Sequence, residues 1–342
     1  MGMMAAPARG ISETANDTDA RVEARQASIG DRVAQRAVIV CPVDLTPGAH
    51  TAAAYALELA RQLEADVHLL HVARAARPRP PELAGTYWQE GTGGDWSGLM
   101  ELARGAFSDG SRVRMVTHTG SATSVIPAYA HLTAATFVVM ERDYGTFRWW
   151  RNASVALRLR WSCPCPVLIV PPSRTNSPAS SEEILCAIDW TVASAVALRT
   201  ALDLTRRRKV HLTLVHVLEA SRDLLFSGPE ALTLAERAQK QAGAASERLR
   251  RRVSPEALHG VDVRYVSGAP NRRILDVASE VEADVIILGV APRGSLEELL
   301  GPSTSATVLR RASCPVLFVP VPAGAHDWLE EASSAAGDAF VS

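Results

Sequence analysis

Two carboxylates and two imidazoles recur along this 342-residue chain at one and the same offset: Asp44 and His71 in the first half, Asp189 and His216 in the second. An aspartate just after an apolar run can meet a ligand in a cleft, or it can cap the turn that follows. A histidine at a strand end can serve as a base, a metal ligand or a hydrogen-bonded core residue. The nearest histidines, His68 and His211, lie an odd number of residues away and so fall on the opposite sheet face, which argues against a local metal pair. Satisfied core histidines and no zinc site are expected.

The elements around these residues also repeat. Ala37 to Val43 is a nearly all-apolar, β-branched run, the mark of a strand covered on both faces. After Asp44 comes a Pro-Gly turn, then Ala52, Tyr55, Ala56, Leu59 and Leu63 at helical spacing, then a second strand over Asp66 to Val72. The second half follows the same order: Ile184 to Ile188, a helix carrying Ala197, Ala201 and Leu204, then Val210 to Val217. Each half continues with a strand (Val113 to Val116; Val261 to Val266), a helix (Val125 to Leu132; Ile274 to Val281) and an apolar strand (Phe137 to Met140; Val285 to Leu288). Cys165-Pro-Val-Leu-Ile-Val170 then returns as Cys314-Pro-Val-Leu-Phe-Val319. Alternating strands and helices predict right-handed βαβ units, and the repeat predicts two copies of one fold.

Residues 1–35 show no sustained apolar period and read as a flexible extension. The first copy spans 36–171, a polar, proline-rich linker spans 172–181, the second copy spans 182–320, and a mobile tail covers 321–342. The copies differ most in their variable segments, 73–112 and 219–260. The first is rich in proline and glycine, whereas 229–252 reads as one long amphipathic helix. These segments are where a protein partner would be selected.

Lys plus Arg number 36 against 37 Asp plus Glu, a net charge of −1 that favours no polyanion, so nucleic acid is not an expected partner. The apolar runs are strand-length, so no membrane span is expected, and the N-terminus shows no signal core. Five cysteines, mostly beside apolar runs, fit a cytoplasmic protein. Cys163-Pro-Cys165 lacks the two-residue spacing of redox or zinc motifs and reads as structural. Basic clusters at 206–209 and 248–252 fall at helix C-termini, where cations offset the dipole.

A strand ending in an apolar residue and Asp, a small-residue helix, a strand ending in His-Val and a final Cys-Pro-Val-Leu-(Ile/Phe)-Val-Pro together resemble the universal stress protein family, over 36–171 and 182–320. The resemblance implies an α/β fold of two tandem five-stranded parallel-sheet domains, Rossmann-like and similar to the adenine nucleotide α hydrolases, with helices on both faces. It also implies a nucleotide cleft at the carboxyl ends of the first and fourth strands, where ligands of open α/β sheets bind. The last strands, Val167 to Val170 and Val316 to Val319, would pair as an internal pseudo-dimer. Whether the whole chain also forms a homodimer stays open.

Family members that bind ATP carry G-x2-G-x9-G-(S/T) after the fourth strand. In the second copy the pattern begins at Gly289, but Pro292 and Pro302 replace the next two glycines, directly before Ser303-Thr304. Proline has no N–H to offer a phosphate and cannot take a positive φ. Gly294 and Gly301 lie nearby. In the first copy Met140-Glu141 stand at the first glycine, Asp143 or Tyr144 at the second, and Ala153 precedes Ser154. Arg148, Trp149, Trp150 and Arg151 add bulk, read as a filled cleft and an interdomain contact in preference to a stacking surface for a base or partner. The resemblance thus assigns Asp189, Val217, Gly289, Gly294, Ser303 and Thr304 to an adenine nucleotide, ATP, in the second copy. Asp44 and Ser154 are their counterparts in a first copy expected not to bind.

The expected function is a non-catalytic cytoplasmic stress-response protein. The rival is a slow ATP hydrolase, whose metal carboxylate near Ser303 would be Glu297 or Glu298. Against it stand the lack of a Walker lysine, of a G-x-S-x-G elbow and of a recurring nucleophile, base and acid set. Thiol chemistry at Cys163 and Cys165 is a third reading.

Overall fold

The computed structural model describes residues 36–44, 49–73, 112–142, 149–172, 183–208, 210–218, 234–291 and 304–322. The expected extension 1–35 (but for its junction at Arg36), most of the linker 172–181 and the tail beyond Pro322 lie outside the described residues, as do Pro292, Gly294, Pro302 and Ser303. All the described secondary structure lies in one unit that begins at Val38.

The first half runs β1 (Val38–Val43), α1 (Ala49–Leu63), β2 (Asp66–Ala73), β3 (Val113–Thr119), α2 (Ala122–Leu132), β4 (Phe137–Glu141), α3 (Trp149–Ser162) and β5 (Val167–Val170). The second runs β6 (Glu183–Ile188), α4 (Val192–Arg208), β7 (His211–Leu218), α5 (Leu234–Arg252), β8 (Val261–Ser267), α6 (Pro270–Glu280), β9 (Val285–Val290), α7 (Thr304–Arg311) and β10 (Val316–Pro320). The expected strands form, several a residue or two longer than their apolar runs because pairing extends past the hydrophobic signal. The amphipathic pattern over 229–252 becomes α5 from Leu234. The sequence pattern assigned no helix to α3 or α7, and both are found.

The strands form one sheet in the order β3-β2-β1-β4-β5-β10-β9-β6-β7-β8. Each half therefore winds outward from β1 or β6 and then returns on the other side, which puts the topological switch between β1 and β4 and between β6 and β9. The strands pair in parallel within each half. Among the described strands only the seam is antiparallel, with Val167 opposite Phe318, Leu168 opposite Leu317 and Ile169 opposite Val316.

Every one of these seam side chains is buried. At roughly 1.5–3 kcal/mol for each large apolar side chain taken from water, the seam holds the halves as one body. The core crosses it: Val138, Val167, Val316, Phe318 and Ile286 belong to one buried cluster. α1 and α4 bury small residues, Ala52, Ala53 and Ala56 in one and Ala193, Ala197 and Ala201 in the other, so each can lie close on its sheet. Among the described residues no helix is long and apolar enough to cross a membrane.

Candidate functional site

The second half's switch point opens into a cleft of about 490 Å³, bordered by Asp189, Val217, Gly289, Thr304 and Ser305 among others. Its entrance is built from Asp189, the exposed residue after β6. Asp189 Oδ1 accepts the backbone N–H of Thr191 at 3.1 Å and the Thr191 hydroxyl at 2.6 Å. Thr191 passes the chain of bonds on, because its Oγ1 accepts the Ser194 N–H at 3.2 Å and its carbonyl accepts the Ser194 hydroxyl at 3.0 Å. Thr191 is thus the N-cap of α4, and the Asp189 carboxylate closes the turn that holds Thr191 in place while it borders the cleft.

Between them Trp190 takes φ = 67°, a left-handed conformation that a bulky residue adopts only when its surroundings impose it. The indole N–H donates to His216 Nε2 at 3.0 Å, and His216 Nδ1 pairs with the Ile188 carbonyl at 2.8 Å. A carbonyl only accepts and an indole N–H only donates, so His216 donates from Nδ1 and accepts at Nε2, with both nitrogens committed. His71 Nδ1 pairs with the Val43 carbonyl at 3.0 Å in the same way. The recurring histidines brace the strand ends from which Asp44 and Asp189 project. They belong to no group of three metal-binding side chains among the described residues.

Gly289 forms part of the cleft floor. A Cβ there would lie 2.1 Å from the Ala193 carbonyl oxygen and 2.7 Å from the Ser194 nitrogen, so the missing side chain is what lets the first turn of α4 meet β9. At the equivalent place in the first half stands Glu141: it registers with Val170 of β5 as Gly289 registers with Val319 of β10. The first-half cleft, bordered by Asp44, Val72, Met140, Glu141 and Val155, measures about 130 Å³. Its wall has Val155 where the second half has Thr304. Ser154 lies in α3, and its side chain is outside the described residues, as are Arg148 and the side chains of Trp149 to Arg151.

Two functional candidates escaped the sequence reading. Arg142, just after β4, is buried, and its Nη1 donates to the carbonyl of Leu309 in the last turn of α7. Arg160, on α3 of the first half, is 2% exposed and, with Trp161, borders the cleft of the second half. Its guanidinium carbon sits 3.8 Å from the Trp161 ring centroid and 6.0 Å from that of Phe318. The signal was an arginine in the buried stripe of Ala156, Leu159 and Cys163.

The thiols are quiet. All five cysteines are free and buried, and burial pushes Cys165 up to about 12 and raises Cys163 as well. A thiol so far from ionisation is a poor nucleophile at neutral pH, which removes the physical basis for thiol chemistry at this pair.

The family model described as "Universal stress protein family" matches this sequence twice, over residues 36–171 and 181–320. The chain belongs to the universal stress protein family. A universal stress protein from Archaeoglobus fulgidus DSM 4304 has a similar structure, with 19% identity, a TM-score of 0.54, and coverage of 84% of this chain and 97% of that one. A functionally unknown protein from Pseudomonas aeruginosa PAO1 gives 19% identity and a TM-score of 0.55 over 88% of this chain and 97% of that one. A universal stress protein of Methanocaldococcus jannaschii is 22% identical over 141 residues, 41% of this chain and 83% of that protein. The tandem arrangement and the α/β fold of this universal stress protein follow from these matches.

Proposed function

We propose that this universal stress protein binds one adenine nucleotide, ATP, in its second-half cleft and acts as a non-catalytic, nucleotide-responsive protein of the cytoplasm. The observation that carries the reading is the contrast between the clefts. The second is about 490 Å³, within the size range of small-molecule sites, and its lip carries the hydroxyls of Thr304 and Ser305. The first is about 130 Å³, below that range, with Glu141 in place of glycine. A carboxylate there repels a phosphate chain.

Asp189 and Val217 would face the nucleoside end. Gly289 and Thr304, with Gly294 and Ser303 from the segment outside the described residues, would hold the phosphates. Asp44 and Ser154 keep the counterpart positions in a half that does not bind. A non-catalytic role is supported by the cleft's own carboxylate, since Asp189 Oδ1 is already used to hold Thr191, the N-cap of α4. Glu297 and Glu298, the carboxylates a slow hydrolase would need, lie outside the described residues. Five free, buried thiols suit a reducing compartment.

The functional divisions we assign are 36–171 and 182–320, joined through 172–181. The segments 73–112 and 219–260 present the bound state to a protein partner.

The test is nucleotide released from the purified chain by heat and identified by mass spectrometry. An adenine nucleotide that disappears with Asp189→Asn and persists with Asp44→Asn supports the proposal. A chain that releases none and takes up none at millimolar ATP overturns it.

A further inference from the structure

The second cleft is not built from the second half alone. Thr304 and Ser305 begin α7, and the same cleft is also lined by Arg160 and Trp161, which α3 brings across the seam from the first half. α3 packs on β10 as well as on its own β5, which is how a first-half helix reaches a second-half site.

Packing does not require a charge at this position. When the two Cys-Pro-Val repeats are laid over each other, Arg160 corresponds to Leu309, which is buried at 1% exposure. An apolar side chain therefore serves one half, and the other half buries a guanidinium beside an open cleft. In a low-dielectric wall a cation attracts an anion far more strongly than at a surface. The Trp161 indole covers one face of the guanidinium. Its N–H donors lie in the guanidinium plane and point from its edge, the geometry that suits phosphate oxygens. Pro292 and Pro302 supply no N–H, so a phosphate chain in this cleft needs donors from elsewhere.

We infer that Arg160, carried by the first half, is the charge partner of the phosphates held in the second half's cleft, so that the site is composite across the seam. The inference rests on the nucleotide reading only for the nucleoside; its own content is an anion site. Occupancy of the second cleft is then felt directly by α3, and the two halves cannot respond independently.

The experiment titrates the full chain with ATP, adenosine and inorganic tripolyphosphate, by calorimetry and by tryptophan emission. Wild type, Arg160→Gln, Arg160→Lys and Trp161→Phe are compared. Loss of a charged hydrogen-bond partner predicts that Arg160→Gln weakens ATP and tripolyphosphate about ten- to hundred-fold and leaves adenosine within about two-fold. Arg160→Lys falls between, since it keeps the charge and loses the planar fork. In the wild type, tripolyphosphate changes an emission component that Trp161→Phe removes, and this readout does not depend on the Gln variant folding. Equal weakening of adenosine and ATP in Arg160→Gln, or unchanged tripolyphosphate binding, overturns the inference. Tripolyphosphate bound through Arg160 with no binding of adenosine upholds it and removes the nucleotide reading. A wild type that binds none of the three removes both.

Discussion

Replacing Gly289 with alanine tests the packing beneath the cleft. An added Cβ would sit 2.1 Å from the Ala193 carbonyl oxygen, 2.2 Å from its carbon and 2.7 Å from the Ser194 nitrogen. Ordinary contact for such a carbon begins near 3.4 Å, so the first turn of α4 must retreat by about 1 Å. All the obstructing atoms are backbone, which cannot swing aside as a side chain would. The displaced turn carries the Thr191 and Ser194 bonds and the buried Ala193 contacts. Overpacking of this kind costs about 3 kcal/mol, at the upper end of the usual range. At a urea m value of about 3 kcal/mol/M the midpoint falls by about 1 M. Gly243 supplies the opposite control: it is exposed on α5, with nothing within 4 Å of an added Cβ. Gly243→Ala should therefore raise stability by about 1 kcal/mol through helix propensity alone. Urea unfolding followed by far-ultraviolet circular dichroism reads both. A Gly289→Ala midpoint within about 0.3 M of wild type would refute the close approach of α4 to β9.

Burial, with Arg114 nearby, holds the His68 imidazole below its ordinary 6.5 although Asp66 pulls the other way, and Tyr129 Oη lies 2.9 Å from its Nδ1. The unfolded chain takes up that proton first, so stability is intact above about pH 6.5 and is lost as pH falls through the folded value. The urea midpoint should drop between about pH 7.5 and about pH 5, and His68→Phe should flatten that drop; an unchanged pH profile in the variant contradicts it. Burial also lifts Cys41, Cys165 and Cys186 from 9.0 to about 12 and raises Cys163. A thiolate-specific reagent should label native protein on the order of 1000-fold more slowly than urea-unfolded protein, and rapid native labelling of Cys163 or Cys165 would count against the buried pair. Arg142→Leu removes the bond to the Leu309 carbonyl and should cost about 1–3 kcal/mol in urea unfolding. A change below about 0.5 kcal/mol would mean the bond is idle.

The repeat, the alternating elements and the seam were legible because each leaves a local mark. Buried parallel strands read as unbroken apolar runs, two copies of Cys-Pro-Val-Leu marked the repeat, and the pairing of the two last strands was implied by the family resemblance. The aspartates were legible only as alternatives, capping or ligand contact. The Thr191 bonds show Asp189 holding the turn before α4, a fact of side-chain geometry that no spacing encodes.

α3 and α7 were missed for separate reasons. The apolar stripe of α3 is interrupted by the buried Arg160, which reads as polar, and α7 buries only Val308 and Leu309 over its eight residues. Gly289 was singled out for its place in a phosphate pattern. Its contact with α4 comes from a helix almost a hundred residues earlier in the chain and was invisible. Arg142 and Arg160 act across the seam; for Arg160 the signals were its place in an apolar stripe and its alignment with Leu309, and Arg142 left none.

The most direct measurement is the stoichiometry of ATP binding to the full chain by isothermal titration calorimetry. One ATP per chain is expected, lost with Asp189→Asn and retained with Asp44→Asn. Two equivalent sites, or a single site that survives Asp189→Asn and fails with Asp44→Asn, would contradict it.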